Sequence, residues 1–369
     1  MITACILSFL IGYIYEDSDS LIVVDDSLLI CGSHHYTIKI DISMSTLTVR
    51  QWDATDSTGW LFLDAPLIYL HDSSQIDGSG SGYRGGTIPH PDGYGPGYGE
   101  SGGGNGGGGG GAGYGGYGGQ GGDNYPGSGG SVYGSDSDTI IDIGSGGGAG
   151  RLSAVDGHGG NGGAKVYLCG QRIIIDSSYI HTHGQAGVDG SLEAGGGGSG
   201  GSIMVRGDSV LIHGSRLHAN GGRGGDASFG GGGGAGGGRI KIFYSLYLET
   251  SEMNLSVIEG AAGTGSHGEP EPGTPGSAYT GLIVGIAEVA EIKNHGTRIN
   301  ANPVRDGFAI TLEEVPALLK LYDISGRVVK VLWIKNKTEY ISLDDIKQGI
   351  YFLRVDRENK PIGKVILLK

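Results

Sequence analysis

His181 and His183 stand two residues apart, and His218 lies 37 residues beyond His181. On one strand face, with the third ring stacked nearby, this geometry is capable of holding a metal. No carboxylate or cysteine converges on the three at a readable spacing, so we read them as a ladder of stacked polar side chains and expect no cofactor. Acidic groups offer a second chemistry. Asp136, Asp138 and Asp142 cluster before Gly144, while Asp176, Asp189 and Glu193 fall along a repeat described below. A glycosidase needs two carboxyls flanking a sugar, but acids among glycines are ordinarily solvated, and no basic residue is readable beside them to stabilise a developing anion.

Other motifs carry less. Gly118-Gly119-Gln120-Gly121-Gly122-Asp123-Asn124-Tyr125 fits the calcium-binding nonapeptide only superficially and does not recur in tandem. Calcium therefore stays a minor alternative to no cofactor. Arg206-Gly207-Asp208 matches an integrin-type tripeptide, but it sits where a bend between two strands wants glycine and aspartate anyway. Cys5, Cys31 and Cys169 are too few and too far apart for a zinc site or a disulfide framework, and we read Cys31 and Cys169 as small buried apolar residues.

The elements that must position these groups are unusual in composition. Glycine accounts for 79 of 369 residues, and 63 of the 79 lie between Gly78 and Gly238. The runs, such as Gly106 to Gly111, have no three-residue period and prolines number only 11, which excludes collagen. Hydrophobic residues at 37 % and charged residues at 17 % call for a thin, repetitive core. From residue 294 onward there are 13 basic and 9 acidic side chains (+4), leaving 12 and 30 upstream (−18) within the net −14. Such acidity argues against a nucleic-acid partner. No stretch is long enough to span a bilayer. Residues 1–17 read as an imperfect signal peptide or a first strand.

Segments opening at Lys165, Ser202 and Arg239 start 37 residues apart, each after a glycine-rich run. Val166, Leu168, Ile173, Ile175 and Ile180 reappear as Ile203, Val205, Val210, Ile212 and Leu217. Apolar doublets at period 2 predict three short strands per unit, stacked in parallel on the next unit. Leu61, Leu63, Ile68 and Leu70 extend the pattern upstream. The expected fold is all-β: a glycine-rich right-handed parallel β-helix over about 18–290, its 37-residue repeat clear at 165–260, with a Gly/Tyr-rich insertion at 78–150. About 21 residues form each coil, and the rest, for example Gln185 to Gly201, leave from one corner. Glycine loses the most backbone entropy on ordering, so we expect these excursions to be mobile. The competing picture is a sheaf of extended polyglycine strands spaced by tyrosines.

After a linker at 291–298, residues 299–369 have the composition of a small antiparallel immunoglobulin-like β-sandwich of about seven strands. Asn302-Pro303, then Leu321 to Val329 with Tyr322, Asp323, Gly326 and Arg327, then Gln348 to Val355 with Gly349 and Tyr351, and finally Lys364 to Lys369 resemble the C-terminal type A sorting domain of the type IX secretion system. The resemblance implies export across the outer membrane, partnership with the secretion machinery, and removal of the domain by a sortase-like peptidase. It further implies attachment to surface lipopolysaccharide or release. The residues themselves predict a hairpin at Asp323 to Arg327 with positive φ at Gly326 and with Leu321 and Val328 inward. Lys364 and Lys369 offer a basic face to an acidic receptor. The functional expectation is an exported structural or adhesin-like protein that touches extracellular polysaccharide; the alternative is a β-helix polysaccharide lyase or glycoside hydrolase with the same export address.

Overall fold

The computed structural model describes residues 12–54, 58–103, 107–150, 157–283, 298–299, 306–312, 315–323, 327–355 and 363–367. Among them every regular element is a strand. The chain divides into two compact units, Met1–Leu282 and Ile283–Lys369.

In the first unit, one sheet carries the strands in the order Tyr13–Glu16, Ser20–Val24, Lys39–Ser43, Leu67–His71, Lys165–Asp176, Ser202–His213, Arg239–Ser251 and Ser277–Leu282. Gly32–His35 and Trp60–Asp64 join it as a branch. Only the first pair is antiparallel. A second, wholly parallel sheet runs through Ser27–Ile30, Thr46–Val49, Gln75–Asp77, Tyr179–His181, Arg216–His218 and Asn254–Ser256. The register is the one the repeat predicts: Val166 pairs with Ile203, Ile173 with Val210, and Ile180 with Leu217. Leu61, Ile68 and Ile76 occupy the preceding rung. One contiguous cluster of buried Leu, Ile and Val from both sheets fills the interior. Alternation supplies that cluster, because each strand turns every second side chain inward.

Two expectations need correction. The first two strands of each repeat are one continuous twelve-residue strand, Lys165–Asp176 and Ser202–His213, so Arg206-Gly207-Asp208 lies within a strand. The third repeat pairs with a shift between Gly207 and Ser209, after which Val210 meets Leu248. One inserted residue there makes Arg239–Ser251 a thirteen-residue strand and accounts for its looser pattern. Within residues 1–17, read as an imperfect signal peptide or a first strand, Tyr13–Glu16 is a strand and residues 1–11 lie outside the described residues.

The larger correction concerns the glycines, which form an ordered sheaf. Gly195, Gly198 and Gly201 donate to the carbonyls of Val188, Gln185 and Thr182; Gly196 and Ser199 donate to Gly148 and Ser145; Gly197 and Gly200 donate to Gly233 and Gly236, all at 2.7–3.1 Å. Successive residues thus bond to three different neighbouring segments and return to the first every third residue. The segment Gly232–Gly238 repeats the pattern against Gly225 to Ala219, Gly109 with Ala112, and Glu271 with Thr274. Three residues per turn with no bonds inside the segment describes polyproline II geometry. The long insertion belongs to this sheaf, since Gly109 and Ala112 donate to Ala194 and Gly197. Each repeat therefore sends out one such segment and returns it as a second.

Close packing is what demands glycine. A Cβ on Gly196 would lie 2.0 Å from the Gly110 carbonyl oxygen, whereas on Gly103 it would meet nothing nearer than 3.6 Å. Gly196→Ala should lower stability by about 1–3 kcal/mol or more, the range for overpacking, while Gly103→Ala should be neutral or slightly stabilising. Denaturant midpoints of the two variants measure the contrast.

In the second unit, Arg298–Ile299, Gly307–Thr311 and Thr338–Ser342 form a three-stranded sheet, and Val328–Ile334, Ala317–Asp323, Gly349–Val355 and Gly363–Leu367 form a four-stranded one. Every pairing is antiparallel, and both sheets contribute to one buried cluster around Phe308, Ile310, Leu319, Leu321 and Leu353.

Candidate functional site

Three groups of sequence-selected residues acquire a geometry. The first is the acidic cluster of the insertion. Residues 133–143 cross the outward side of the large sheet, above strand Arg239–Ser251. Arg239 and Lys241, 2 % and 0 % exposed, point outward beneath them. Arg239 is paired with Asp136 and donates to the Tyr133 carbonyl at 2.9 Å and to Ser277 Oγ at 3.0 Å. Lys241 Nζ donates to Asp138 Oδ1 at 2.8 Å and to the carbonyls of Asp138 and Ile140 at 3.0 and 2.6 Å. That hydrogen bond is the chief reason the Asp138 carboxyl is held below its ordinary range. Asp142 contributes its backbone: its N–H donates to Tyr114 Oη at 2.9 Å and its carbonyl accepts from Ser202 Oγ at 2.6 Å. Burial pushes the Tyr114 hydroxyl up to about 12, and the Arg239 guanidinium lies 5.4 Å from that ring's centroid.

Basic residues thus do stand beside these carboxylates, contrary to the sequence reading. They fasten a strap. The only sequence trace of it is a matched spacing, with Asp136 and Asp138 two apart and Arg239 and Lys241 two apart. The remaining acids serve the stack. Asp189 accepts the Asp226 N–H at 2.8 Å, and Asp226 in turn accepts the Thr264 N–H at 2.7 Å, one rung further. Glu193 is buried and bridges to Gly230 through its backbone. Asp176 accepts from Ser177 Oγ at 3.2 Å. Cys31 and Cys169 are only partly buried, and burial pushes the Cys169 thiol up.

The second group is the histidine cluster. His181 and His218 occupy adjacent rungs of the small sheet, their rings stacked at 5.5 Å and 12°. The His183 ring lies 5.1 Å from His181 and 6.0 Å from His218. Burial first, then the neighbouring rings, holds His183 down to about 4 and lowers His181 as well. Both are therefore neutral imidazoles around pH 7.

The third group lies in the second unit. Asp323 closes the predicted hairpin: its Oδ1 accepts the Arg327 N–H and its Oδ2 accepts Arg327 Nε–H, both at 3.0 Å, while its own N–H donates to the Arg327 carbonyl at 2.9 Å. Leu321 is fully buried as expected, but Val328 is 43 % exposed, because the ladder slips between Leu321 and Tyr322 and pairs Tyr322 with Val328. Gly349 opens strand Gly349–Val355. Two residues on, the buried Tyr351 ring donates its hydroxyl to the Lys347 carbonyl at 2.6 Å, tying that strand to the loop before it. Lys364 is in the last strand, opposite Phe352. Asn302, Pro303, Gly326 and Lys369 fall outside the described residues.

Residues 299–369 match the family model of the secretion system C-terminal sorting domain. This sorting domain belongs to type IX secretion, so the chain is exported to the cell surface or the extracellular space and engages the type IX machinery. The hairpin fastened by Asp323 and Arg327 and the strand tied back by Tyr351 belong to the sorting domain, and the sheaf and strap to its cargo. No curated protein and no solved structure matched the chain. No helix among the described residues is long and apolar enough to cross a membrane.

The strap pairs are asymmetric, since the cations are buried and the carboxylates are 65 % and 42 % exposed. Removing an anion strands a buried cation, whereas removing a cation leaves an anion that water can reach. Asp138→Ala should therefore destabilise the first unit by roughly 2–3 kcal/mol, more than Lys241→Met does. Denaturation midpoints give the order, and limited proteolysis at residues 133–143 locates the loosened segment.

Proposed function

We propose that the first unit is a right-handed parallel β-helix that serves its cell as a non-enzymatic structural or adhesin-like element. The immunoglobulin-like sorting domain delivers it, a sortase-like peptidase removes that domain, and the mature protein is attached to surface lipopolysaccharide or released. The observation that carries this reading is the use to which the acids are put: Asp136 and Asp138 are bound to buried Arg239 and Lys241. Carboxylates spent as anchors are poor candidates for proton transfer, which needs a group free to change its charge. An ordered glycine sheaf fused to a repeating stack suits a spacer or matrix element, because each repeat adds length without needing a new core.

The full chain, incubated with acidic and neutral polysaccharides, should generate no new reducing ends and no unsaturated products. Turnover of any of them that disappears in Asp142→Asn would replace this reading with a carbohydrate-active enzyme.

A further inference from the structure

The histidine cluster has a property that a ladder of stacked polar side chains does not need. One ring nitrogen from each of His181, His183 and His218 falls within 4.8 Å of the other two. His181 Nε2 is buried with no hydrogen-bond partner, a costly arrangement for a polar atom. His218 Nε2 sits 2.6 Å from Asn254 Oδ1 and donates to it, so the neutral ring presents its lone pair at Nδ1. His183 Nδ1 is unprotonated as well, since it accepts the Asn220 N–H at 3.1 Å.

The next repeat shows what this position needs structurally. Asn220, 37 residues after His183, accepts the Ile258 N–H at 3.1 Å and the Ser256 hydroxyl at 2.7 Å through Oδ1. An asparagine is thus enough to bond one rung to the next, and histidine at 183 supplies a nitrogen ligand besides. Asp77 precedes His181 on its column of the sheet, adding a negative charge beside the cluster.

We propose that His181, His183 and His218 bind one late first-row divalent metal ion, Zn²⁺ or Cu²⁺, which pins two consecutive repeats together. Imidazole suits these ions, whereas Ca²⁺ and Mg²⁺ prefer oxygen ligands. Three nitrogens leave at least one coordination position for water or an external ligand. The Asn254 contact on His218 is the kind of outer hydrogen bond that orients a metal-bound imidazole. Coordination at His183 takes the Nδ1 lone pair now offered to the Asn220 amide, so affinity is set against the loss of one backbone hydrogen bond. Neighbouring rungs approach closely enough for small side-chain rotations to bring the nitrogens to a metal at about 2.0–2.1 Å.

The test titrates the chelator-treated full chain with ZnCl₂ by calorimetry and repeats the titration on His183→Asn, which keeps an acceptor for the Asn220 amide. The expected result is one Zn²⁺ per chain, a raised unfolding temperature in the wild type, and affinity at least ~100-fold weaker in the variant, whose metal-free unfolding temperature is unchanged. Zn²⁺-induced shifts in the imidazole NMR signals of the wild type, confined to these three rings, would support the site without relying on any variant. Absence of saturable binding by both Zn²⁺ and Cu²⁺, equal affinity in His183→Asn, or shifts at other histidines would overturn it.

Discussion

The first unit depends on one interaction: the backbone hydrogen bond between glycine-rich segments packed too closely for a Cβ. Ordering a residue costs about 1–2 kcal/mol of backbone entropy, and a backbone hydrogen bond returns about 0.5–1.5 kcal/mol net. The two are close enough that a lone glycine segment would not hold its shape. Here the balance is shifted by company. Each segment is bonded on three sides, as Gly195 to Gly201 show, and each outgoing and returning pair is anchored at its base by strands, here Tyr179–His181 and Ser202–His213. Much of the ordering cost is then borne once by the stack.

The sheets and the sheaf are therefore two readings of one repeat. Inward side chains at period 2 give the stack its apolar core, and outgoing and returning glycine segments at period 3 give the sheaf its hydrogen bonds. Both are indexed by the same 37 residues, which is why Gly197 bonds to Gly233 while Val166 pairs with Ile203. The insertion completes the arrangement. Its glycines enter the sheaf against Ala194 and Gly197, and its Asp136 and Asp138 fasten to Arg239 and Lys241 on the sheet's outer side.

Much of this was legible in the sequence. Repeated apolar positions identified the parallel pairing partners residue by residue, because burial is periodic in a strand and any slip would turn the core outward. Seven strand segments between residues 299 and 369 were readable for the same reason. Three features were not. Glycine carries no side chain, so nothing in its spelling distinguishes a mobile loop from a sheaf; the difference lies in long-range hydrogen bonds such as Gly109 to Ala194. Arg239 and Lys241 occupy outward positions that normally face water, and only the chain folded over them buries them. The slip that exposes Val328 comes from a one-residue irregularity in the ladder, which alternation alone does not register.

Amide hydrogen exchange across the glycine-rich segments tests the central claim most directly. If the sheaf holds, peptides spanning residues 195–201 and 231–238 exchange on the timescale of strand Ser202–His213, with protection lost together when the stack unfolds. Exchange of those peptides at the rate of an unstructured chain, beside a protected Ser202–His213, would contradict it and reduce the unit to a bare stack with loose glycine loops.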